Sequence, residues 1–138
     1  MAIQQLSVLL PNQHGTLANL TDIFYREGID IRAISVYDTT EYGILRTVVD
    51  DPDKAVEILK KNGIVAMLSD IMAINPEDRR GSLNEIFGIL AQAGVNVDYV
   101  YSFVVKKGGP QYFVLKVEDI SRAEDLLAEK GIEVIKKL

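Results

Sequence analysis

Two short polar turns hold the residue types best suited to bind a small anion. One reads Asn12-Gln13-His14-Gly15-Thr16-Leu17, the other Asp78-Arg79-Arg80-Gly81-Ser82-Leu83. Each stands directly before an amphipathic stretch, so its backbone N–H groups fall at a predicted helix N-terminus. Those donors and the helix dipole favour a negative group such as an α-carboxylate. Gly15 and Gly81 have no side chain, which lets a ligand approach the main chain. A glycine in a strand-to-helix connection also serves as an ordinary turn residue.

Other reactive side chains are sparse. His14 is the only histidine and there is no cysteine. No disulfide, thiol nucleophile or histidine- or thiolate-based metal site is therefore expected, and no cofactor. His14 itself reads as an exposed loop residue. Asp50-Asp51 and Glu118-Asp119 are carboxylate pairs, but each precedes a predicted second helix, where capping and dipole roles outweigh acid–base chemistry. Arg79-Arg80 and Lys106-Lys107 read as solvated loop charges, with contact between Arg79 or Arg80 and a ligand carboxylate as the second option.

The elements that position these turns occur twice. Gly15 and Gly28 correspond to Gly81 and Gly94 at an offset of 66 residues, and Gly63 corresponds to Gly131 at 68. The two extra residues fall at Lys107-Gly108-Gly109-Pro110, whose composition suits a longer hairpin loop. In each copy a strand comes first, with Leu6, Val8 and Leu10 alternating in the first copy. A helix follows, its apolar stripe formed by Leu17, Leu20 and Phe24, or by Leu83, Ile86, Phe87 and Leu90. Gly28 and Gly94 stand where a helix closes in the left-handed conformation. Two strands come next, Ile29 to Tyr37 and Gly43 to Val49, then Val95 to Val105 and Gln111 to Val117. Asp51 and Pro52 start the second helix of the first copy, which buries Ala55, Ile58 and Leu59. In the second copy Ser121 with Glu124 fits a capping box, and Ala123, Leu126 and Leu127 pack inward. Ile64 to Leu68 and Ile132 to Ile135 are the closing strands. Tyr99, Tyr101 and Phe103 share a strand parity and hence one sheet face, against a partner or between domains.

The order is βαββαβ, twice. This predicts an α+β chain of tandem ferredoxin-like modules, residues 1–68 and 69–138, with antiparallel sheets and helices on one face. No glycine or proline interrupts Val65 to Ile74, so a stiff joint and one rigid unit are expected. Apolar residues make up 48 % of the 138 residues, enough for packed cores, and the formal net charge is −5. An acidic chain has no general attraction for nucleic acid or anionic lipid. The first ten residues read as a strand rather than a leader, and no apolar run approaches the roughly 20 residues of a membrane span. A cytoplasmic protein is expected.

The repeated pattern, polar loop, Gly-x-Leu, amphipathic helix, then Gly-φ-(Asn/Asp)-φ, resembles the ACT domain family. It reads here as residues 12–17 with Gly28-Ile29-Asp30-Ile31, and as residues 78–83 with Gly94-Val95-Asn96-Val97. The resemblance covers both copies. It implies allosteric binding of small ligands, usually amino acids, at interfaces between ACT modules, and side-by-side assembly, here into a homodimer. Carried over by position, one site combines Asn12, His14 and Gly15, with Thr16 and Leu17 of the same turn, and Asn96. The other combines Asp78, Arg80 and Gly81 with Asp30. The pattern favours asparagine at both places, and an amide meets carboxylate and ammonium alike, so the first combination is the expected better site. Leu10 and Pro76 depart from the pattern where a polar contact is sometimes found.

Three other functions compete with a free-standing amino-acid sensor. RNA-binding domains share the topology, but Tyr42-Gly43-Ile44-Leu45-Arg46 and Tyr112-Phe113-Val114-Leu115 lack their spaced stacking aromatics. An acylphosphatase-like enzyme is disfavoured because no phosphate loop or base–nucleophile pair is present. A regulatory subunit that controls a partner enzyme, as the ACT subunit of acetolactate synthase does, is the remaining alternative.

Overall fold

The structure, a computed structural model, describes residues 2–38, 41–104 and 108–138. Its elements run β1 (Ile3–Pro11), α1 (Thr16–Arg26), β2 (Ile31–Asp38), β3 (Tyr42–Val49), α2 (Pro52–Lys61) and β4 (Ala66–Asn75). They continue as α3 (Ser82–Gln92), β5 (Val97–Val104), β6 (Gln111–Val117), α4 (Ile120–Glu129) and β7 (Glu133–Ile135). Val105, expected to end a strand, and Lys106 and Lys107 of the hairpin loop lie outside the described residues.

The chain divides into two compact units, one of them Gln4–Ser69 and the other holding Asp70–Leu138. In the first the strand order is β2-β3-β1-β4. In the second it is β5-β6-β4, with β7 on the other side of β4. Both are ferredoxin-like βαββαβ arrangements, and the fold class is α+β. Even the irregularities repeat: β2 bulges between Ile31 and Ala33, β5 between Val97 and Tyr99. Beside the first bulge the buried Thr47 hydroxyl donates to Ala33 O at 2.7 Å.

The alternation in the strands sets the cores. Leu6, Val8 and Leu10 of β1 pack with Leu45 and Val49 of β3 beneath Leu20, Ile23 and Phe24 of α1 and Ala55, Ile58 and Leu59 of α2. Met72, Ile74, Leu115 and Val117 pack beneath Ile86 and Leu90 of α3 and Ala123 and Leu127 of α4. Full burial of each such aliphatic side chain is worth roughly 1.5–3 kcal/mol. Leu83, Phe87 and Leu126 pack against this second core only partly buried. Leu17 breaks the expected stripe, being 45 % exposed. It stands in the first turn of α1, and the buried face runs through Leu20, Ile23 and Phe24 instead.

Helix ends follow local chemistry. The Asp51 carboxylate caps α2 by accepting from Lys54 N at 3.2 Å, and Pro52 occupies the first turn. In α4 the cap is Asp119, which accepts from Arg122 N at 3.1 Å. Ser121 lies one residue inside the helix, so the expected box with Glu124 does not start it. Asp119 is the repeat counterpart of Asp51 and reaches the free N–H first. Gly28 has φ +72°. It donates to Tyr25 O at 3.3 Å while Ile29 donates to Phe24 O at 2.9 Å, which closes α1 and turns the chain toward β2.

Tyr99 and Tyr101 stack with ring centroids 6.5 Å apart, and Phe103 meets Tyr112 edge-on at 5.5 Å. Their register partners on β6 place them on the sheet face opposite Leu115 and Val117, away from the helices. No helix among the described residues is long and apolar enough to cross a membrane.

β4 runs unbroken from Ala66 to Asn75, and Ile71 to Ile74 are buried. Ladder-bonded, buried backbone resists proteases because cleavage needs local unfolding. Limited thermolysin digestion is therefore expected to leave residues 64–75 uncut. Early cleavage there, releasing two stable halves, contradicts this.

Candidate ligand-binding cleft

The turn before α1 and the turn before α3 are built alike. Gly15 and Gly81 are the N-cap residues, at φ 85° and 89°, and neither helix has a side-chain cap. The left-handed conformation explains the glycines, since a Cβ there crowds the following carbonyl. Asn19 N bonds Gly15 O at 2.9 Å, and Glu85 N bonds Gly81 O at 3.0 Å. The N–H groups of Leu83 and Asn84, in the first turn of α3, have no protein acceptor among the described residues. Such groups form an anion site when a cavity lies over them.

A cavity lies there in the second unit. An open cleft of about 1010 Å³ runs over the α3 N-terminus. It is lined by Asn75 to Arg79, Gly81 and the first turn of α3, and by Gly108 to Gln111, Phe113 and the segment Lys130 to Glu133. Of the residues expected from the sequence, Asp78 and Gly81 line it and Arg80 does not. Arg79 lines it instead. Its Nε donates to Glu77 Oε2 at 2.6 Å, and a terminal guanidinium nitrogen donates to Glu85 Oε2. These contacts raise the Arg79 pKa above its ordinary value, the hydrogen bond to Glu77 first and that to Glu85 second. Asn75 Nδ2 donates to Glu133 Oε2 at 2.8 Å. The charged lining is uneven: Glu77, Asp78, Glu85 and Glu133 face only Arg79 and Lys130.

The first turn has different side chains. Thr16 Oγ1 donates to Gln13 O at 3.1 Å, and Asn12 N to Glu41 O at 2.9 Å. Asn12, His14, Gly15 and Leu17 are exposed and Thr16 is half-buried. Asp30 and Asn96 precede β2 and β5. Asp30 pairs with Arg32 at 3.1 Å, and Asn96 Nδ2 donates to Asp98 Oδ1 at 2.9 Å. Within each unit they stand at the far end of an 11-residue helix from the turn, about 16 Å away. A unit on its own does not bring the turn and the strand start together. Asp50 accepts from Asp30 N at 3.0 Å, and Asp51 caps, so both carboxylates of that pair hold structure.

Reading by type passed over Glu77, Ser82, Glu85 and Glu133, and left Arg79 as a loop charge. The signal that marks three of them is a difference between the copies. Pro11, Gln13 and Asn19 stand at the places of Glu77, Arg79 and Glu85.

Comparison with known proteins agrees with this architecture. The family model described as ACT domain pair matches residues 1–137, and the chain belongs to that family. A crystal structure of protein BT0572 from Bacteroides thetaiotaomicron is similar at 30 % identity and TM-score 0.90, covering 98 % of this chain and 92 % of that one. The ligand-free regulatory subunit of aspartate kinase from Thermus thermophilus is 19 % identical with TM-score 0.68, covering 91 % of each chain. The regulatory subunit of aspartate kinase from Thermus flavus is 20 % identical with TM-score 0.66, covering 91 % and 88 %. These two likenesses are of fold. No curated protein matches. An ACT domain pair is a regulatory architecture.

Proposed function

We propose that this chain is a small-molecule-binding regulatory protein without catalysis of its own, whose ligand is an amino acid held at the turn preceding the first helix of a module. The observation that carries this is the glycine-capped turn, present in both units with main-chain donors free and, in the second, opening on a cleft. Such donors suit a carboxylate, and the polar lining beside them suits an ammonium. The same reading includes a homodimer in the cytoplasm.

A thermal-shift screen over the twenty L-amino acids tests it. A ligand that binds only the folded chain stabilises by about 2.7 kcal/mol at a hundred times its Kd. One or a few amino acids are expected to raise Tm by several degrees; a flat response across all twenty ends this reading. The combination of Asn12, His14 and Gly15 with Asn96 belongs to the proposal. Lost hydrogen bonds of about 0.5–3 kcal/mol imply that Asn12→Ala and Asn96→Ala weaken binding from several-fold to over a hundredfold. Asp78→Ala and Asp30→Ala weaken it less. Calorimetry on the four variants decides; loss confined to the aspartate variants reverses the assignment.

The aspartate kinase regulatory subunits among the similar structures support a second reading, a subunit that controls a partner enzyme of amino-acid biosynthesis. Pull-down from native lysate with and without the screened amino acid separates the two.

A further inference from the structure

The two units close their second helices alike, and the repeat shows what one of them adds. In the second unit Lys130 N donates to Leu127 O at 3.1 Å, Gly131 N to Ala128 O at 3.0 Å and Ile132 N to Leu127 O at 3.0 Å. In the first, Asn62 N donates to Leu59 O at 3.0 Å, Gly63 N to Lys60 O at 3.0 Å and Ile64 N to Leu59 O at 2.8 Å. Gly63 and Gly131 have φ of 76° and 77°, the left-handed conformation of such a closure. Asn62 stands where the second unit has Lys130. Its side chain makes a further bond, Nδ2 donating to Ile58 O at 2.8 Å.

Asn62-Gly63 is also the one asparagine–glycine pair in the sequence; the other asparagines precede Gln13, Leu20, Pro76, Glu85 and Val97. A peptide nitrogen can attack the carboxamide of the asparagine before it, and a glycine presents that nitrogen without the hindrance of a side chain. Deprotonated Gly63 N forms a bond to Asn62 Cγ while the Cγ–Nδ2 bond breaks. The nitrogen leaves as ammonia, with the proton that Gly63 N gave up. Water then opens the cyclic imide at either carbonyl, to aspartate or to isoaspartate, the latter with Cγ in the main chain. Both residues are exposed to water. The closure opposes the first step. At the Asn62 ψ of 14° Gly63 N lies beside the residue's own nitrogen and away from Cβ, whereas ring formation needs it beneath Cγ. Gly63 N is also held on Lys60 O, and Nδ2 on Ile58 O. The ring therefore closes only after this end of α2 has opened.

We propose that Asn62-Gly63 is a spontaneous modification site of the first unit, guarded by the C-terminal closure of α2, and that its conversion to aspartate or isoaspartate keeps that closure from re-forming. Either product lacks the Nδ2 donor to Ile58 O and places a carboxylate at the negative end of the helix dipole. Lys60 and Lys61 in the last turn soften the charge but do not replace the donor. Isoaspartate also lengthens the main chain by one carbon, which shifts the Gly63 and Ile64 N–H groups off Lys60 O and Leu59 O. Ile64 packs against the first core, so the loosened closure reaches the packing of that unit. The second unit, with Lys130 before Gly131, has no such site. The inference needs no ligand and stands apart from the binding reading above.

The test incubates the full chain in mildly alkaline buffer, with and without unfolding guanidinium chloride. Peptide mass mapping follows each asparagine, and methyl transfer by a protein isoaspartyl methyltransferase counts isoaspartate. In denaturant Asn62 is expected to convert fastest of the asparagines. In the folded chain it should convert about tenfold or more slowly, because the closing hydrogen bonds must open first. Gly63→Ala, compared in denaturant where the fold imposes no strain, should slow the conversion. Hydrogen exchange at the Ile64 N–H reads the closure itself. Exchange should speed up in the incubated, converted chain and in Asn62→Asp, the copy of one product. It should stay slow in Asn62→Lys, which copies the second unit and cannot convert. Equal conversion rates in the folded and unfolded chain overturn the proposal, as does a faster asparagine elsewhere or an unchanged rate in Gly63→Ala. Ile64 exchange that stays slow in the converted chain or in Asn62→Asp, or that speeds up in Asn62→Lys as much as in Asn62→Asp, overturns it too.

Discussion

Phe24→Ala is expected to lower the unfolding free energy by about 3–5 kcal/mol. Phe24 is 1 % exposed and is the largest of the fully buried side chains. It projects from α1 into the cluster formed by Leu6, Val8, Leu45 and Leu59. Truncation loses the transfer energy of the ring and leaves a cavity that strands on one side and helices on the other cannot readily close. Domains are stable by only about 5–15 kcal/mol, so the loss is a large fraction of the total. Urea denaturation followed by circular dichroism should show a lower midpoint with an unchanged m-value. Leu17→Ala is the internal control. It lies on the same sequence stripe but is 45 % exposed, and its cost should stay below about 1 kcal/mol. Equal losses for the two contradict the packing described here.

The glycines of α3 should respond in opposite directions to the same substitution. Gly81 has φ +89°, and a Cβ built on it meets nothing within 4 Å. The cost of Gly81→Ala is therefore conformational, about 1–2 kcal/mol for a left-handed L-residue. Gly88 lies inside the helix, is exposed, and has no positive φ. A Cβ there also has open space, so Gly88→Ala should gain about 0.5–1 kcal/mol through helix propensity. Thermal unfolding of the two variants gives the signs directly. A neutral Gly81→Ala means that the turn before α3 is not held left-handed. That turn aims the first N–H groups of α3 into the cleft, so Gly81→Ala should also weaken whichever amino acid binds there.

Much of the architecture was legible before any coordinates. The repeat of Gly15, Gly28 and Gly63 at Gly81, Gly94 and Gly131 marks the same turns and helix ends twice, because few other residues adopt positive φ there at low cost. Alternation in β1 and the 3.6-residue stripe of α1 predict Leu6, Val8, Leu10, Leu20 and Phe24 as core, since periodicity is a local property of strand and helix. The caps by Asp51 and Asp119 are equally local. Ser121 and Glu124 match the capping-box pattern, yet the repeat aligns Asp119 with Asp51, and Asp119 is the cap.

Residues that meet only through folding were less accessible. Leu17 and Leu83 are equivalent by sequence, yet one is exposed and the other packs against its core. The cleft is lined by the turn before α3, the start of β6 and the segment after α4, with Asn75 and Glu133 58 residues apart along the chain. No local pattern links Arg79 to Glu133, or marks Ser82 as buried. A single turn shows residue type and order, which determine helix starts, glycine conformations and net charge. Which of two adjacent arginines faces the cleft, and which carboxylates hold it, depends on where α3 sits against its sheet. That placement is set by packing of Ile86 and Leu90 into the core, and only the tertiary structure decides it.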